Sequence, residues 1–381
     1  MERILQIALS QIGHFLLCLN FIVIIQISLF SSVIKLSLVN AEIVYVSNDV
    51  SKKFSPQTCT LKGHCPNIRS ALLKINGTGD IIYVYPGVYT GVENTNLCLS
   101  HNRTMCNFDQ ALLIGLSADP SQVVIQNNKT AYSFAIDISN NTFSYIGNLT
   151  IRDFYINFNN PLEDSYYDDI IIGEISRGSA LRIDYSDLRV ENMIFINNSA
   201  GTGGAVHATS SSVVIRNCSF YSNKGSTYGG AIGVHISNLK VIESNFFNNT
   251  VFNPFGEATS AGGAIYFAGD YNLELVTSRC SFYFNSAQKY GGAIYVASSL
   301  SFKTLNLKSG SVTIKDNLFE NNFLQATICS SSTSLSCNPR GGALYIDIWN
   351  VFIENTLFRY NRAEAAGSSN VIVIHNYIPI F

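Results

Sequence analysis

One short pattern of apolar and polar positions recurs along the second half of the chain. It runs apolar, any, apolar, any, then an Asn, Asp or Glu, then Phe and Asn at steps of three, as in Val213, Ile215, Asn217, Phe220 and Asn223. Apolar positions at every second residue are typical of a strand with one buried face. The aromatic and amide positions of the copies are Phe195, Phe220, Phe246, Phe282, Phe319 and Phe358, and Asn198, Asn223, Asn249, Asn285, Asn322 and Asn361.

The spacing of the copies decides the architecture. Phe195, Phe220 and Phe246 lie 25 or 26 residues apart, which is too short for a strand-helix-strand unit of ~30 residues, and a helical period is absent. Each copy is therefore predicted to form one coil of a parallel β-helix, with successive coils ~4.8 Å apart. We interpret the copy that starts at Leu273 as stretched, and a weaker copy as Leu149, Ile151, Asp153, Ile156 and Asn159.

This arrangement assigns a role to each repeated residue. The Phe side chains are predicted to stack inside the coil, and the terminal Asn side chains to form an amide ladder at a bend. Five Gly-Gly-Ala runs follow, starting at Gly203, Gly229, Gly262, Gly291 and Gly341. Glycine permits the positive φ and close backbone approach that a corner needs. A phosphate-binding loop is disfavoured, because no Lys-Ser or Lys-Thr follows any of these runs.

The region before the repeats reads as the start of the same solenoid. Strands are predicted at 43–47, 79–89, 111–116, 122–126 and 132–138, and a short amphipathic helix at 67–75 after Pro66. Because the first coil of a solenoid exposes its hydrophobic stack, we expect this helix to cap it. The predicted organisation is a β-helix over 42–381, with recognisable repeats at 188–367.

The first 41 residues predict export. The run from Phe15 to Ile34 is almost wholly apolar, and Val39 and Ala41 occupy the small-residue positions of a signal cleavage site. We expect a signal peptide cleaved after Ala41, with an uncleaved signal-anchor as the alternative. A buried core helix is less compatible with the flanking Lys35.

Cysteines and glycosylation motifs agree with an oxidising secretory route. Cys59/Cys65, Cys98/Cys106 and Cys329/Cys337 are candidate disulfide pairs. Cys218 and Cys280 are predicted to be free thiols, because two coils, ~9.6 Å, separate them, and a disulfide needs Cα atoms within ~7 Å. Sequons for N-glycosylation begin at Asn76, Asn102, Asn128, Asn140, Asn148, Asn197, Asn217 and Asn248.

Composition excludes some partners. Charged residues make up 13% of the chain and the net charge is −2, with no basic stripe. Neutralising nucleic-acid phosphates needs clustered Lys and Arg, so no nucleic-acid partner is expected. Membrane contact is expected only through an uncleaved N-terminal segment.

Three groups of residues are candidates for binding or chemistry. Tyr266, Tyr295 and Tyr345 follow Gly-Gly-Ala runs on consecutive coils, and are predicted to form an exposed stripe for glycans or partner proteins, or simple packing of the outer wall. The loop with Glu163, Asp164, Asp168 and Asp169 is either a Ca²⁺ or acid/base site or a solvated loop. His207 and His235 follow successive corners and are expected to be ordinary surface histidines, with a metal or catalytic pair as the alternative. No catalytic residue, cofactor-binding residue or metal ligand is assigned, and no cofactor is expected.

The joint occurrence of Phe-x-x-Asn and Gly-Gly-Ala-(Ile/Leu/Val) resembles the repeats of the polymorphic outer-membrane protein family, over about half the chain. The segment from Gly79 to Tyr89 is similar to the opening of right-handed, pectin-lyase-like β-helices. The resemblance implies an all-β, right-handed parallel β-helix, secreted or at the cell surface, and an adhesive role. Polygalacturonases of this fold would show an Arg-Ile-Lys motif, whereas this chain has Arg182-Ile183-Asp184.

The sequence therefore favours a non-catalytic, exported, glycosylated protein that recognises glycans or surface proteins. A carbohydrate-active enzyme with an unrecognised site is the alternative, and an inactive scaffold is the third possibility.

Overall fold

The structure is a computed structural model that describes residues 42–49, 64–75, 79–100, 111–127, 133–141, 143–156, 177–253, 260–269, 273–298, 310–325, 339–347, 350–363 and 372–375. These residues form a right-handed parallel β-helix, as predicted. Each complete coil passes through four sheets, which we call sheets I to IV, and every strand pair within the four sheets is parallel.

Sheet I has ten strands and sheet II has nine. Sheet I contains β1 Ile43–Val46, β2 Ile81–Val84, β5 Leu112–Gly115, β8 Ser144–Gly147, β11 Asp187–Glu191, β15 Ser212–Arg216, β19 Asn238–Ile242, β23 Glu274–Ser278, β27 Ser311–Lys315 and β31 Asn350–Glu354. Sheet II contains β3 Gly87–Tyr89, β6 Val123–Gln126, β9 Thr150–Arg152, β12 Ile194–Ile196, β16 Ser219–Tyr221, β20 Asn245–Phe247, β24 Ser281–Tyr283, β28 Leu318–Glu320 and β32 Leu357–Arg359.

Sheet III has six short strands and sheet IV has nine. Sheet III contains β13 Ser199–Thr202, β17 Lys224–Tyr228, β21 Thr250–Val251, β25 Ser286–Ala287, β29 Phe323–Leu324 and β33 Arg362–Ala363. Sheet IV contains β4 Leu97–Ser100, β7 Ile136–Ser139, β10 Leu181–Asp184, β14 Val206–Thr209, β18 Ile232–His235, β22 Ile265–Gly269, β26 Ile294–Ser298, β30 Leu344–Asp347 and β34 Ile372–His375.

A short helix covers the first coil, as the sequence predicted. Helix α1 spans Ile68–Leu72, and its N-cap Asn67 accepts a hydrogen bond of 2.7 Å from the backbone N–H of Ser70. Ile68, Ala71 and Leu72 are buried against the core. Single 3₁₀ turns occupy Val92–Asn94 and Pro120–Gln122. Among the described residues, helices long and apolar enough to cross a bilayer are absent.

The six repeat phenylalanines form one column inside the coil. Adjacent ring centroids are 4.6–4.8 Å apart and the ring planes are within 10° of parallel. The first five rings are fully buried, and Phe358 at the end of the column is partly buried. The ring spacing equals the spacing of the parallel strands that carry the rings, so the backbone register itself sets the stacking.

The six repeat asparagines form a second interior column where sheet II turns into sheet III. Each of the first five donates from Nδ2 to Oδ1 of the next, at 2.8–3.1 Å. Each also donates its backbone N–H to the same Oδ1 atom. The ladder therefore satisfies backbone groups that the bend would otherwise leave buried without partners.

The Gly-Gly pairs are the corner between sheets III and IV. The first glycine of each pair has a φ of 57–76°, a conformation that other residues rarely adopt. At the second glycine a side chain would overlap backbone of the next coil, as at Gly230 with the carbonyl of Gly263. The repeated Gly-Gly is thus a requirement of coil stacking.

Cys218 and Cys280 are free and buried, as predicted. They lie in a further interior ladder at the corner between sheets I and II. There the backbone N–H of Cys218 donates to Oγ of Ser244 at 3.1 Å, and that of Cys280 donates to Oδ1 of Asn317 at 2.8 Å. Ser244 occupies the coil between the two cysteines and keeps them apart.

Two of the interpreted repeat copies were placed in the wrong register. Ile151, and not Ile156, pairs with Phe195 in sheet II. The copy interpreted as stretched has ordinary spacing, because Thr277 takes the inward position that pairs with Val241. A threonine at an apolar position hid this copy from the pattern.

Candidate recognition surfaces

The tyrosine stripe lies on the outer side of sheet IV, but the prediction that it is exposed was wrong. Tyr266, Tyr295 and Tyr345 are in register on β22, β26 and β30. Tyr345 is only 7% exposed, and the other two are half-buried. Burial is the main cause of the raised pKa of all three hydroxyls.

Two further tyrosines explain this burial. Tyr228 and Tyr290 come directly before Gly-Gly pairs, and their rings pack onto the stripe. The Tyr228 ring lies 4.3 Å from that of Tyr266, and the Tyr290 ring lies 5.0 Å from that of Tyr345. The five rings form a continuous cluster, which supports the packing interpretation of the stripe.

On the earlier coils the same outer column is charged. Asp137, Arg182 and His207 are adjacent on β7, β10 and β14. Asp137 and His207 are buried, and Oδ1 of Asp137 accepts a hydrogen bond of 2.6 Å from Ser139. The guanidinium of Arg182 lies 4.6 Å from the centre of the Phe134 ring. His207 is therefore an interior residue of this cluster, contrary to the expectation of a surface histidine, whereas His235 is exposed.

Burial alters the titration of this charged cluster. Burial lowers the pKa of His207 well below 6.5, and the positive charge of Arg177 adds to the effect. The pKa of Asp184 is raised from 3.8, first by burial and then by the negative charge of Asp137. At neutral pH the cluster favours an uncharged imidazole.

An open groove runs along the corner between sheets IV and I. One wall is a column of left-handed residues, Asn140, Tyr185, Ser210 and Ile236, with φ values of 48–54°. Successive backbone hydrogen bonds place these residues on four consecutive coils, so the wall is about 14 Å long. The Tyr185 side chain is 66% exposed and Ile236 is 40% exposed. Sequence inspection did not identify this groove.

The floor of the groove contains serines and the apolar Leu273, and the far wall is polar. Ser186, Ser211 and Ser237 form a ladder in which the N–H of Ser186 donates to Oγ of Ser211 at 3.0 Å, and the N–H of Ser211 donates to Oγ of Ser237 at 2.9 Å. The far wall is lined by the first residues of three sheet I strands, Asp187, Ser212 and Asn238. Asp187 is the one charged side chain among the described residues of the lining.

A separate aromatic column is exposed on the outer side of sheet II and in the turn that follows this sheet. Tyr221 and Phe247 are paired on β16 and β20, and Phe284 directly follows β24; the three residues are 38%, 42% and 44% exposed. Ring centroids are 6.4 Å apart for the first pair and 5.6 Å apart for the second. Among the described residues, this column, and not the predicted tyrosine stripe, is the run of exposed rings on consecutive coils.

Some of the remaining candidate residues are described by the structure and others are not. Asn140, Asn197, Asn217 and Asn248 are exposed, and Asn148 is half-buried. The other candidates lie outside the described residues: the sequons at Asn76, Asn102 and Asn128, the acidic loop at 160–169, the N-terminal 41 residues, and Cys59, Cys106, Cys329 and Cys337. Cys65 is buried and Cys98 is half-buried on β4, and the three disulfide pairings stay predictions. Among the residues described, groups of three or more side chains able to hold a metal ion are absent.

Solved structures resemble this fold at low sequence identity. The catalytic domain of a GH87 α-1,3-glucanase in complex with tetrasaccharides is 14% identical with a TM-score of 0.44, covering 88% of this chain and 57% of that one. A pectin methylesterase in complex with a hexasaccharide is 11% identical with a TM-score of 0.39, covering 87% of this chain and 92% of that one.

Two curated proteins are similar in sequence. Metabotropic glutamate receptor-like protein R of Dictyostelium discoideum is 26% identical over 269 residues, which are 58% of this chain and 15% of that protein. The probable outer membrane protein PmpE of Chlamydia trachomatis serovar D is 36% identical over 115 residues, which are 28% of this chain and 12% of that protein. The chain thus spans a small part of the length of both relatives.

A protein-family model covers one of the repeats. The model of the Chlamydia polymorphic membrane protein (Chlamydia_PMP) repeat matches residues 192–209, which run from the turn after β11 to the end of β14. This segment contains the stacked Phe195, the ladder residue Asn198 and the Gly203-Gly204 corner. The resemblance seen in the sequence is thereby confirmed for this segment: residues 192–209 match the Chlamydia polymorphic membrane protein repeat and form part of one coil of the right-handed parallel β-helix.

Proposed function

We propose that this chain is a non-catalytic recognition protein, secreted or displayed at the cell surface, that binds an uncharged glycan in the groove between sheets IV and I. The observation that carries the proposal is Tyr185, an exposed aromatic ring between walls that present the polar side chains of Asn140, Ser210, Ser212 and Asn238. Sugars offer apolar C–H faces to aromatic rings and hydroxyls to polar side chains, and this lining provides both.

The charge of the groove selects the class of glycan. Among the lining residues that the structure describes, Asp187 is the single charged one, and Lys and Arg are absent. An acidic polysaccharide would meet this carboxylate without a compensating cation, so a neutral saccharide fits better. Export is supported by the apolar N-terminal run and by the words outer membrane protein in the name of a relative.

The test is binding to an array of neutral and acidic glycans. The protein is made without N-glycans in a bacterial periplasm, because Asn140 begins a sequon at one end of the groove. Tyr185→Ala is expected to weaken binding about tenfold, which corresponds to the ~1–2 kcal/mol of an aromatic contact. Tyr360→Ala is the matched control, because Tyr360 is also left-handed, with a φ of 55° against 50° for Tyr185, and is 75% exposed on another corner. Equal binding by both variants would contradict the proposal, as would a preference for acidic glycans.

One observation favours glycan hydrolysis as a second candidate function. Asp184 directly precedes Tyr185 of the groove wall, and burial together with the negative charge of Asp137 raises its pKa, as a general acid requires. Asp137 is only 5% exposed, which limits its access to a substrate. Release of reducing sugar from neutral glycans, lost in Asp184→Asn, would replace the binding proposal with this one. Recovery of intact glycan excludes it.

A further inference from the structure

We propose that the exposed aromatic column of sheet II is covered by an N-glycan that the chain itself carries on Asn248. The column and the groove lie at different corners of the coil, so this inference is independent of glycan binding in the groove. It requires the export predicted from the N-terminal run.

The position of Asn248 within the stack places this residue directly after Phe247 in the chain and beside Phe284 of the following coil. Asn248 directly follows Phe247, and its backbone N–H donates to the carbonyl of Tyr283 at 3.0 Å. Phe284 therefore occupies the same turn position one coil later. The two turn residues share left-handed φ values of 55° and 54°, so their side chains leave the wall in parallel, ~4.8 Å apart.

The side chain of Asn248 is accessible and its sequon is complete. Asn248 is exposed, and its Nδ2 atom donates a hydrogen bond of 3.2 Å to Oγ of Ser222. Asn249 and Thr250 complete the Asn-x-Thr motif. The middle residue is the interior ladder residue, so the acceptor side chain must point outward while its neighbour points inward.

The modification uses a lipid-pyrophosphate-linked oligosaccharide as the sugar donor. A bond forms between Nδ2 of Asn248 and the anomeric carbon of the sugar, and the bond from that carbon to the pyrophosphate oxygen breaks. One Nδ2 proton is released, and the lipid pyrophosphate leaves. The Nδ2 atom keeps its second hydrogen, so the hydrogen bond to Ser222 can persist.

Two exposed apolar rings flank Asn248. Phe247 and Phe284 are 42% and 44% exposed and meet edge to face at 5.6 Å. Exposed aromatic surface of this kind promotes association between molecules, and the apolar face of the first sugar is complementary to it. The bulky glycan then shields the column from solvent and from other chains.

The chain contains a matched control. Asn197 begins a second sequon at the same turn position two coils earlier, with a φ of 54°. Its neighbours in the turn column are polar, since its Nδ2 atom donates to Oδ1 of Asp153 at 3.3 Å and Ser222 follows on the next coil. A glycan at Asn197 has the same backbone setting without the flanking Phe284.

The experiment uses the full chain secreted from a eukaryotic host. Peptide mass spectrometry is expected to find Asn248 glycosylated. Asn248→Gln is expected to raise binding of an apolar fluorescent dye about twofold or more, whereas Asn197→Gln leaves dye binding unchanged. The same Asn248→Gln substitution made in the Phe284→Ser variant should change dye binding much less. This is the result that a double-mutant cycle gives when two groups are in direct contact. An unoccupied Asn248, or equal dye binding by the two Gln variants, would overturn the proposal.

A second measurement does not depend on any variant folding. Peptide-N-glycosidase acting on the native wild-type protein should release the glycan from Asn248 more slowly than from Asn197, because the first sugar at Asn248 is packed on rings. Equal release rates from the two sites would show that the glycan does not contact the column.

Discussion

The Nδ2 atom of Asn223 donates a hydrogen bond of 3.0 Å to Oδ1 of Asn249, which lies one coil further along. The same oxygen accepts the backbone N–H of Asn223, also at 3.0 Å, and Nδ2 of Asn249 donates back to the carbonyl of Phe220. One buried side chain therefore joins three consecutive coils, since it also donates to Asn285.

Replacing this residue should destabilise the fold strongly. Asn249→Ala leaves the backbone N–H and the Nδ2 atom of Asn223 buried without the oxygen that both use, which we expect to lower the free energy of unfolding by about 2–5 kcal/mol. Urea unfolding followed by circular dichroism measures this change. Asn245→Ala on the neighbouring exposed position is the control, with an expected change below about 0.5 kcal/mol. Asn249→Ala keeps the Asn248 sequon intact, so glycosylation does not complicate the comparison.

The adjacent residues Phe246 and Phe247 lie on opposite faces of one strand, so they allow a buried ring to be compared with an exposed ring. Phe246 is fully buried between Phe220 and Phe282, whereas Phe247 is 42% exposed. Phe246→Ala should cost about 3–5 kcal/mol of stability through lost burial and a cavity. Phe247→Ala should cost far less, and thermal unfolding of protein made without glycans measures both. Similar losses for the two variants would show that the interior column contributes no special stability.

The two free thiols should be unreactive while the protein is folded. Burial raises the pKa of Cys218 to about 12 and that of Cys280 to about 11. The thiolate is the reactive form, so both residues are almost wholly protonated at pH 8. Iodoacetamide should leave both unlabelled in the native protein and alkylate both in guanidinium chloride, as read by peptide mass spectrometry. Rapid labelling of the native protein at either site would contradict the buried placement.

Stability should fall as the pH drops below about 6.5 because of His207. Its pKa in the folded state lies well below 6.5, so in this window the unfolded chain binds a proton that the folded chain does not. The contribution of His207 to the free energy of unfolding is constant at pH values above its pKa in the unfolded chain. It diminishes as the pH falls from there toward the lower pKa of the folded state. Asp184 acts in the opposite sense, since its raised pKa gives stability present below 3.8 and lost as the pH rises through the folded value.

Substitution isolates the histidine contribution. His207→Gln should flatten the slope of unfolding free energy against pH between about 7 and 5, whatever its effect at neutral pH. His235→Gln is the control, because His235 is exposed on the next coil. An unchanged slope in His207→Gln would mean that the imidazole takes up its proton equally in both states.

The interior of the solenoid was readable from sequence because its rules are local. Period-two alternation determines which side of a strand faces inward. The three-residue spacing from Phe to Asn determines where the corner between sheets II and III lies. Where two residues of similar type compete, the pattern is ambiguous, and so Ile156 was chosen where the structure uses Ile151. Thr277 concealed a regular copy for the same reason, since its methyl group serves an inward position that the pattern assigned to apolar residues.

The outer surface was harder to predict because alternation does not show what covers a side chain. Tyr266 does point outward, yet Tyr228 from the preceding corner packs on it. A tyrosine directly before two of the Gly-Gly pairs was the available signal. The groove beside Tyr185 has no motif at all, because neighbouring coils assemble it from residues that are unremarkable in each coil alone.

The Gly-Gly corners have a consequence for where this chain tolerates change in length. The number of residues from the inward position of sheet I to the ladder asparagine, as from Val241 to Asn249, is the same in every repeat coil. The number of residues between the ladder asparagines of consecutive coils varies from 25 to 39. All the extra length enters either before a glycine pair or after sheet IV. We therefore expect a foreign peptide inserted after Val251 or Ser298 to form a surface loop that leaves the coils unchanged. One residue inserted between Phe246 and Asn249 would instead move the Asn249 amide out of its column and break its hydrogen bonds to the coils on both sides.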